Sequence, residues 1–198
     1  MMVFYRARLV LLAVPKTGTA ALMTALRPYA DLVISDPPEL KHSPVYRYTR
    51  WVRPMFEKVC GAELEVAATM REPVDWLGSW FRYRARPQIA GTPNSTAGLD
   101  FETFVNAYLE DKPPPFANVG RQARFVALNS GDVGIDHLFR YDNFAAYLAF
   151  LEARFSTRLH VERRNVSPDT TFDLSPSLRR RLQNVCEKDY HIYETLAL

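Results

Sequence analysis

Leu9-Val10-Leu11-Leu12-Ala13-Val14-Pro15-Lys16-Thr17-Gly18-Thr19-Ala20-Ala21-Leu22-Met23 is the stretch that decides the fold. Its first six residues are an unbroken apolar run, of the length one buried strand needs. Pro15 to Gly18 carry turn chemistry, and the residues from Ala20 to Tyr29 show the apolar periodicity of a helix. A buried strand that passes through a tight glycine turn into a helix is the opening unit of an α/β sheet. It is also a physical recipe for holding an anion. The first turn of a helix presents N–H groups with no partner inside the helix, together with a partial positive charge. Lys16 adds a full positive charge, and Gly18 lets the backbone approach a ligand closely. The expectation is a phosphate-like group near residue 16, cradled by Pro15, Lys16, Thr17, Gly18, Thr19 and Ala20.

Working outward, the chain alternates strand-like and helix-like segments. Arg8–Val14 reads as a strand, Thr19–Tyr29 as a helix and Leu32–Ile34 as a short second strand stopped by Asp36-Pro37-Pro38. Ser43 and Pro44 predict a helix start, with Ser43 as the cap. Val45, Tyr48, Val52, Met55 and Val59 follow helical spacing, and Pro54 is expected to kink or split that helix. Leu64–Met70 predicts a central strand, and Arg71-Glu72-Pro73 opens a helix to about Arg84. Residues 87–99 are rich in Pro, Gly, Asn, Ser and Thr and predict a mobile loop near a binding edge. Asp100 caps a helix carrying Phe101, Phe104, Val105, Tyr108 and Leu109, which Pro113 to Pro115 end. Further helices are expected over Val119–Leu128, after the cap Asn143, and from Ser175-Pro176 to about Tyr193, with an edge strand at His137–Tyr141 and irregular chain over 156–174. Strands alternating with helices imply a mostly parallel sheet covered on both faces. With no repeat and no linker, residues 1–198 are expected to form one domain.

Composition narrows the class. A hydrophobic fraction of 47% and a charged fraction of 24% describe an ordinary globular protein. A net charge of +3 suits an anionic ligand and is too small to argue for nucleic acid. Cys60 and Cys186 match no metal or redox spacing and are expected to be free thiols in a reducing, cytoplasmic compartment. The four histidines, His42, His137, His160 and His191, show no paired ligand spacing, which argues against a structural metal. Arg6 and Arg8 before Leu9–Val14 imitate a signal peptide, but the apolar run is short and ends in Pro-Lys-Thr-Gly, so it is taken as the first core strand. No run approaches the ~20 apolar residues of a membrane span. The sequons at Asn94 and Asn165 are taken as chance matches.

A second motif, Arg71-Glu72-Pro73-Val74-Asp75-Trp76-Leu77-Gly78-Ser79, follows the central strand. An Arg at a strand end and a Ser two helical turns later can close on one anion, the first with a bidentate fork and the second with a hydroxyl. Taken alone, Arg71 reads better as a structural ion-pair partner and Ser79 as an ordinary small helix residue. The first loop is not a Walker A motif, which places its Lys after the last Gly. Together, however, P-K-T-G-T after the first strand and R-E-P-x5-S after a later one resemble the sulfotransferases that use 3′-phosphoadenosine 5′-phosphosulfate (PAPS). The resemblance continues through Phe139-Arg140-Tyr141-Asp142-Asn143, Arg164-Asn165-Val166-Ser167 and Asp189-Tyr190 to Tyr193, and is nearest to compact bacterial members.

That resemblance implies a P-loop NTPase-like three-layer α/β sandwich and in-line sulfuryl transfer to a hydroxyl or amine of a carbohydrate, lipid or small-molecule acceptor. It implies that Lys16 stabilises the leaving phosphate, that residues 15–20 bind the 5′-phosphosulfate, and that Arg71 and Ser79 bind the 3′-phosphate. It further implies that Arg164, Asn165 and Ser167 lie near the nucleotide, that no metal is needed, and that PAP is the product. Ala20 stands where the family commonly has Thr or Ser. His42 is the candidate base; read otherwise, it is an exposed residue before a helix cap, with Asp36 and Glu72 as weaker bases. Trp76, Trp80, Phe81 and Tyr83 read mainly as core, and Arg121, Gln122 and Arg124 either as an acceptor face or a solvated one. A P-loop kinase or NTPase, and a non-catalytic nucleotide-binding module, remain the alternatives.

Overall fold

The structure is a computed structural model that describes residues 1–161 and 172–196. Its elements run in chain order β1 (Met2–Phe4), β2 (Leu9–Leu11), α1 (Thr19–Leu26), β3 (Leu32–Val33), α2 (Pro38–Lys41), α3 (Val45–Arg47), α4 (Arg53–Cys60) and β4 (Glu65–Met70). They continue with α5 (Pro73–Arg84), α6 (Phe101–Tyr108), α7 (Gln122–Val126), β5 (His137–Arg140), α8 (Phe144–Phe155), α9 (Pro176–Val185) and α10 (Glu187–Thr195). The described residues fall into two compact units: residues 1–71, 122–161 and 195–196 in the first, and residues 72–121 and 172–194 in the second.

The first unit holds the sheet, in the order β3-β1-β2-β4-β5. β2 pairs parallel with β4 and β4 parallel with β5, whereas β1 is antiparallel to both β2 and β3. The sheet is therefore mixed, with β1 alone running against the other four strands. β1 is the strand the sequence did not announce. It is joined to β2 by a turn in which the Arg8 N–H donates to the Tyr5 carbonyl at 3.2 Å, and Arg8 takes a left-handed φ of 52°. No Gly, Asn or Asp marks that turn, so the usual hairpin signal is missing.

Both faces of the sheet are buried. Met2, Phe4, Leu9, Leu11 and Ala67 pack with Leu22 and Leu26 of α1 and with Tyr147 and Leu151 of α8. Val3, Val10, Val66 and Ala68 alternate with them, point to the opposite face, and are equally buried. Asn143 caps α8 by accepting from the Ala146 N–H at 3.3 Å.

Two helix expectations in this unit need correction. Ser43 caps nothing: its hydroxyl donates to the Glu39 carbonyl at 3.4 Å, and Pro44 is the residue that precedes α3. Around Pro54 the α-helix is split as expected, though the chain stays helical. The segment between α3 and α4, Tyr48–Val52, is a π-helical turn, and the helix runs on through it. A proline ring clashes with the carbonyl four residues back, here that of Arg50, and a widened turn just ahead of it relieves the clash. Helix α7 is shorter than the expected Val119–Leu128, because Ala127 leaves it to form a bridge with Val133.

The second unit is helical. Glu72 caps α5 by accepting from the Asp75 N–H at 2.8 Å, and Asp100 caps α6 by accepting from the Thr103 N–H at 2.7 Å. Its core joins Val74, Trp76 and Leu77 of α5, Phe101, Phe104 and Val105 of α6, and Leu178 and Leu182 of α9. The chain after α5 is pinned: Thr96 is buried and its hydroxyl donates to the Phe81 carbonyl at 2.8 Å. The expected single C-terminal helix is two, α9 and α10, parted at Cys186. Buried Leu178, Leu182, Cys186, Asp189 and Tyr193 keep helical spacing across the break, so periodicity alone runs through it.

Each core has a side chain with no exposure on which a truncation acts fully, Leu26 in the first unit and Phe104 in the second. Leu26→Ala and Phe104→Ala are each expected to lower unfolding free energy by about 2–5 kcal/mol, read from urea titrations.

Candidate functional site at one edge of the sheet

Parallel neighbours end at the same edge of a sheet, and in α/β folds ligands bind beyond those carboxyl ends. β2 and β4 are such neighbours, in the register Leu11↔Ala67, extended by a hydrogen bond from the Leu12 N–H to the Ala67 carbonyl at 3.0 Å. The residues following β2, β4 and β5 therefore emerge together.

After β2 comes the loop from Pro15 to Gly18. Lys16 has a φ of 66° and Gly18 a φ of 71°, so two left-handed residues flank Thr17. A non-glycine residue held there is strained, and such strain gathers at ligand-binding turns. Thr17 is buried, and its hydroxyl donates to the Val14 carbonyl at 2.9 Å, closing the loop on itself. The hydroxyl thus braces the loop rather than reaching outward. Gly18 precedes α1, which has no side-chain cap and no acidic residue in its first turn. Thr19 is half-buried and Ala20 exposed on that turn. A Cβ on Gly18 would lie 2.9 Å from Cε2 of Tyr141, so the position is reserved for glycine by space as well as by φ.

After β4 comes Arg71, only 8% exposed. Its backbone is held like a strand residue, but by a side chain: the Arg71 N–H donates to Gln122 Oε1 at 2.9 Å, and Gln122 Nε2 donates to the Arg71 carbonyl at 2.8 Å. Its guanidinium reaches the first loop, with Nη1 donating to the Lys16 carbonyl at 3.3 Å. The same group lies 4.6 Å above the Tyr141 ring. Tyr141 follows β5 and is tied to β4 by its N–H, which donates to the Met70 carbonyl at 2.7 Å. Tyr141 is thus in contact with Arg71 and closely apposed to Gly18.

His42, the residue that ends α2, reaches the same edge. Its Nδ1 lies 2.7 Å from the carbonyl of Ala13, two residues ahead of Pro15. A carbonyl only accepts, so Nδ1 carries the hydrogen and neutral His42 keeps its lone pair on Nε2. Burial lowers the His42 pKa from its ordinary 6.5; the Ala13 bond opposes this, and the charges of Lys41 and Lys16 assist it. His42 is therefore a neutral imidazole of fixed tautomer near pH 7. Of the other candidate bases, Asp36 is exposed, and Glu72 is engaged in capping α5, with its pKa raised by burial.

Ser79 lies on α5 in the second unit, where it is buried. Arg164, Asn165 and Ser167 lie outside the described residues. Arg121, Gln122 and Arg124 do not share a face: Arg121 donates to Cys186 Sγ and lies 4.9 Å above the Tyr108 ring, Gln122 holds Arg71, and Arg124 is exposed. Cys186 is correspondingly inert, its thiol pushed up to about 11 by burial. Trp76 is core, with Trp80 and Phe81 packed on the same cluster, while Tyr83 is partly exposed. Sequence reasoning named Gln122 and Tyr141 but missed their contacts with Arg71. A polar Gln beside buried Ala123, Phe125 and Val126 was the available signal.

No protein-family model matches the chain, and neither a curated protein nor a solved structure shows significant similarity to it.

Replacing Gln122 by Leu removes both of its hydrogen bonds from the buried Arg71 backbone. Gln122→Leu is expected to cost about 2–4 kcal/mol in unfolding free energy, more than an ordinary conservative core exchange. Denaturant unfolding of this variant beside Gln122→Glu, which keeps the Oε1 acceptor, measures it.

Proposed function

We propose that the chain is a sulfotransferase, of a P-loop-like α/β sandwich, that takes its sulfuryl group from PAPS and passes it to a hydroxyl or amine. The observation that carries this reading is the hydrogen bond from Arg71 to the Lys16 carbonyl, which brings the two anion motifs of the sequence to one sheet edge. One anion motif alone would suit many phosphate ligands. Two cationic motifs, spaced along one edge, suit a donor with two separate anionic groups.

The residues present fit such a donor. The uncapped first turn of α1, which holds no acidic residue, and the glycine approach at Gly18 form a cradle for an anion. When bound, the donor supplies a sulfuryl group attached to a phosphate leaving group. Lys16 places positive charge where negative charge develops on that leaving group, and a preorganised cation of this kind is a large term in transfer chemistry. Arg71 supplies a fork for the second anion, with Ser79 as its proposed partner, and Arg164, Asn165 and Ser167 as proposed nucleotide contacts. His42 takes the acceptor proton at Nε2, because the Ala13 carbonyl holds its hydrogen on Nδ1. Positioning does the remaining work. The proposed acceptor is a polar small molecule, glycan or lipid headgroup.

A kinase-like reading would need Mg²⁺ and ATP or GTP, and the Lys16-before-Gly18 order disfavours it. A non-catalytic nucleotide-binding module would keep both anion sites and transfer nothing.

Calorimetry with PAP in the presence of EDTA, against ATP with Mg²⁺, separates these readings. Metal-independent PAP binding that weakens in Arg71→Ala is the expected result; ATP–Mg²⁺ binding without PAP binding would sink the assignment. Lys16→Ala is expected to cut transfer by about 10²–10³-fold while leaving the fold intact. The pH profile tests His42. Its folded pKa is below the unfolded 6.5, so the folded protein resists protonation there. Activity should be full above that value and fall on an acid limb centred below it, and His42→Gln should abolish the limb. The same sign holds for stability: the contribution of neutral His42 is complete above the unfolded pKa and is lost as pH falls.

A further inference from the structure

The continuous helix from Val45 to Cys60 buries one face and leaves another unpartnered. Val45, Tyr48 and Phe56 anchor it in the first unit, each less than 9% exposed. On the outside, Trp51, Met55 and Val59 stand 60%, 47% and 79% exposed. They are spaced four residues apart, so they form one apolar stripe along the helix. Scattered apolar residues on a surface need no explanation, but a contiguous stripe with a tryptophan marks a contact.

Charge says what kind. The same helix carries Arg47, Arg50, Arg53 and Lys58 against the single acid Glu57, a formal +3 equal to that of the whole chain. All other residues taken together are neutral, so the chain's excess positive charge resides on this helix. Glu57 is already held by Arg53, at 2.7 Å. Arg50 lies 5.8 Å from the Trp51 ring, beside the apolar stripe, and Lys58 is exposed next to Val59.

We propose that this helix docks the protein on an anionic lipid surface, lying flat in the headgroup layer. A tryptophan at one end of the stripe, aliphatic side chains behind it and long basic side chains at its rim are the chemistry of an interfacial helix. Trp51 takes the headgroup boundary, Met55 and Val59 enter the acyl edge, and Arg50 and Lys58 reach lipid phosphates over their aliphatic stems. A second copy of the chain fits less well. A two-fold interface sets a patch against itself, which would bring the basic rim of Arg50 and Lys58 against the same basic rim of the other copy, with no free acid on the helix to meet it. The inference is independent of the donor chemistry proposed above.

Flotation of the full chain with phosphatidylcholine vesicles and with mixed phosphatidylcholine–phosphatidylglycerol vesicles tests it, alongside tryptophan emission. Trp76 is buried and Trp80 partly so, which leaves Trp51 as the exposed one of the three tryptophans. Flotation with the anionic vesicles alone, a blue shift of emission and weakening by added salt are expected. The triple variant Trp51→Ser, Met55→Ser, Val59→Ser and the double variant Arg50→Glu, Lys58→Glu should each lose about tenfold or more in vesicle affinity. These side chains lie on the exposed face, and an unchanged circular dichroism spectrum checks that the variants fold. No flotation with either vesicle overturns the proposal. So does anionic binding that survives the serine variant, which would mean a plain polyanion surface. A dimer in sedimentation that the serine variant dissolves, without vesicle binding, would assign the stripe to a second copy.

Discussion

The parallel pairing of β2 with β4 is the constraint on which the rest of the first unit depends. Because the two strands run together, Lys16 and Arg71, which are 55 residues apart in sequence, leave the sheet at one edge. The hydrogen bond from Arg71 to the Lys16 carbonyl then ties a strained loop to the end of a strand that cannot move without breaking the sheet. β5 adds Tyr141 by the same logic, since it too pairs parallel with β4. Had β4 run antiparallel to β2, Arg71 and Lys16 would have emerged at opposite edges.

Backbone carbonyls position three side chains at this edge. Ala13 holds the His42 ring, Lys16 receives Arg71, and Val14 receives Thr17. Carbonyl acceptors do not titrate, so these contacts hold across the pH range in which His42 itself changes state. Gln122 extends the same principle by taking the place of a neighbouring strand beside Arg71. The outcome is an edge whose geometry is set largely by acceptors that carry no charge.

How far this was legible varies with the kind of signal. The P-K-T-G-T turn, the apolar run before it, and the caps Asp100 and Asn143 each act within a few residues, and their structures follow the sequence closely. β1 was hidden because Arg8 makes its turn without glycine. The π-turn before Pro54 was hidden because periodicity tells where a helix faces and not how widely it is wound. Gln122 and Tyr141 depend on contacts 51 residues from Arg71 and across strands, which no local pattern encodes. The two motifs read together gave two anion sites for one ligand, whereas the contact of Arg71 with the Lys16 carbonyl lies beyond any local pattern.

The left-handed backbone at Lys16 has an evolutionary consequence. At a φ of 66° an asparagine or glycine would sit more comfortably, and lysine gives up about 1 kcal/mol there relative to them. Drift under selection for thermal endurance alone would thus replace position 16 early. Lysine in this turn is thus a standing cost to the fold, one that glycine at position 16 would remove together with the ammonium group.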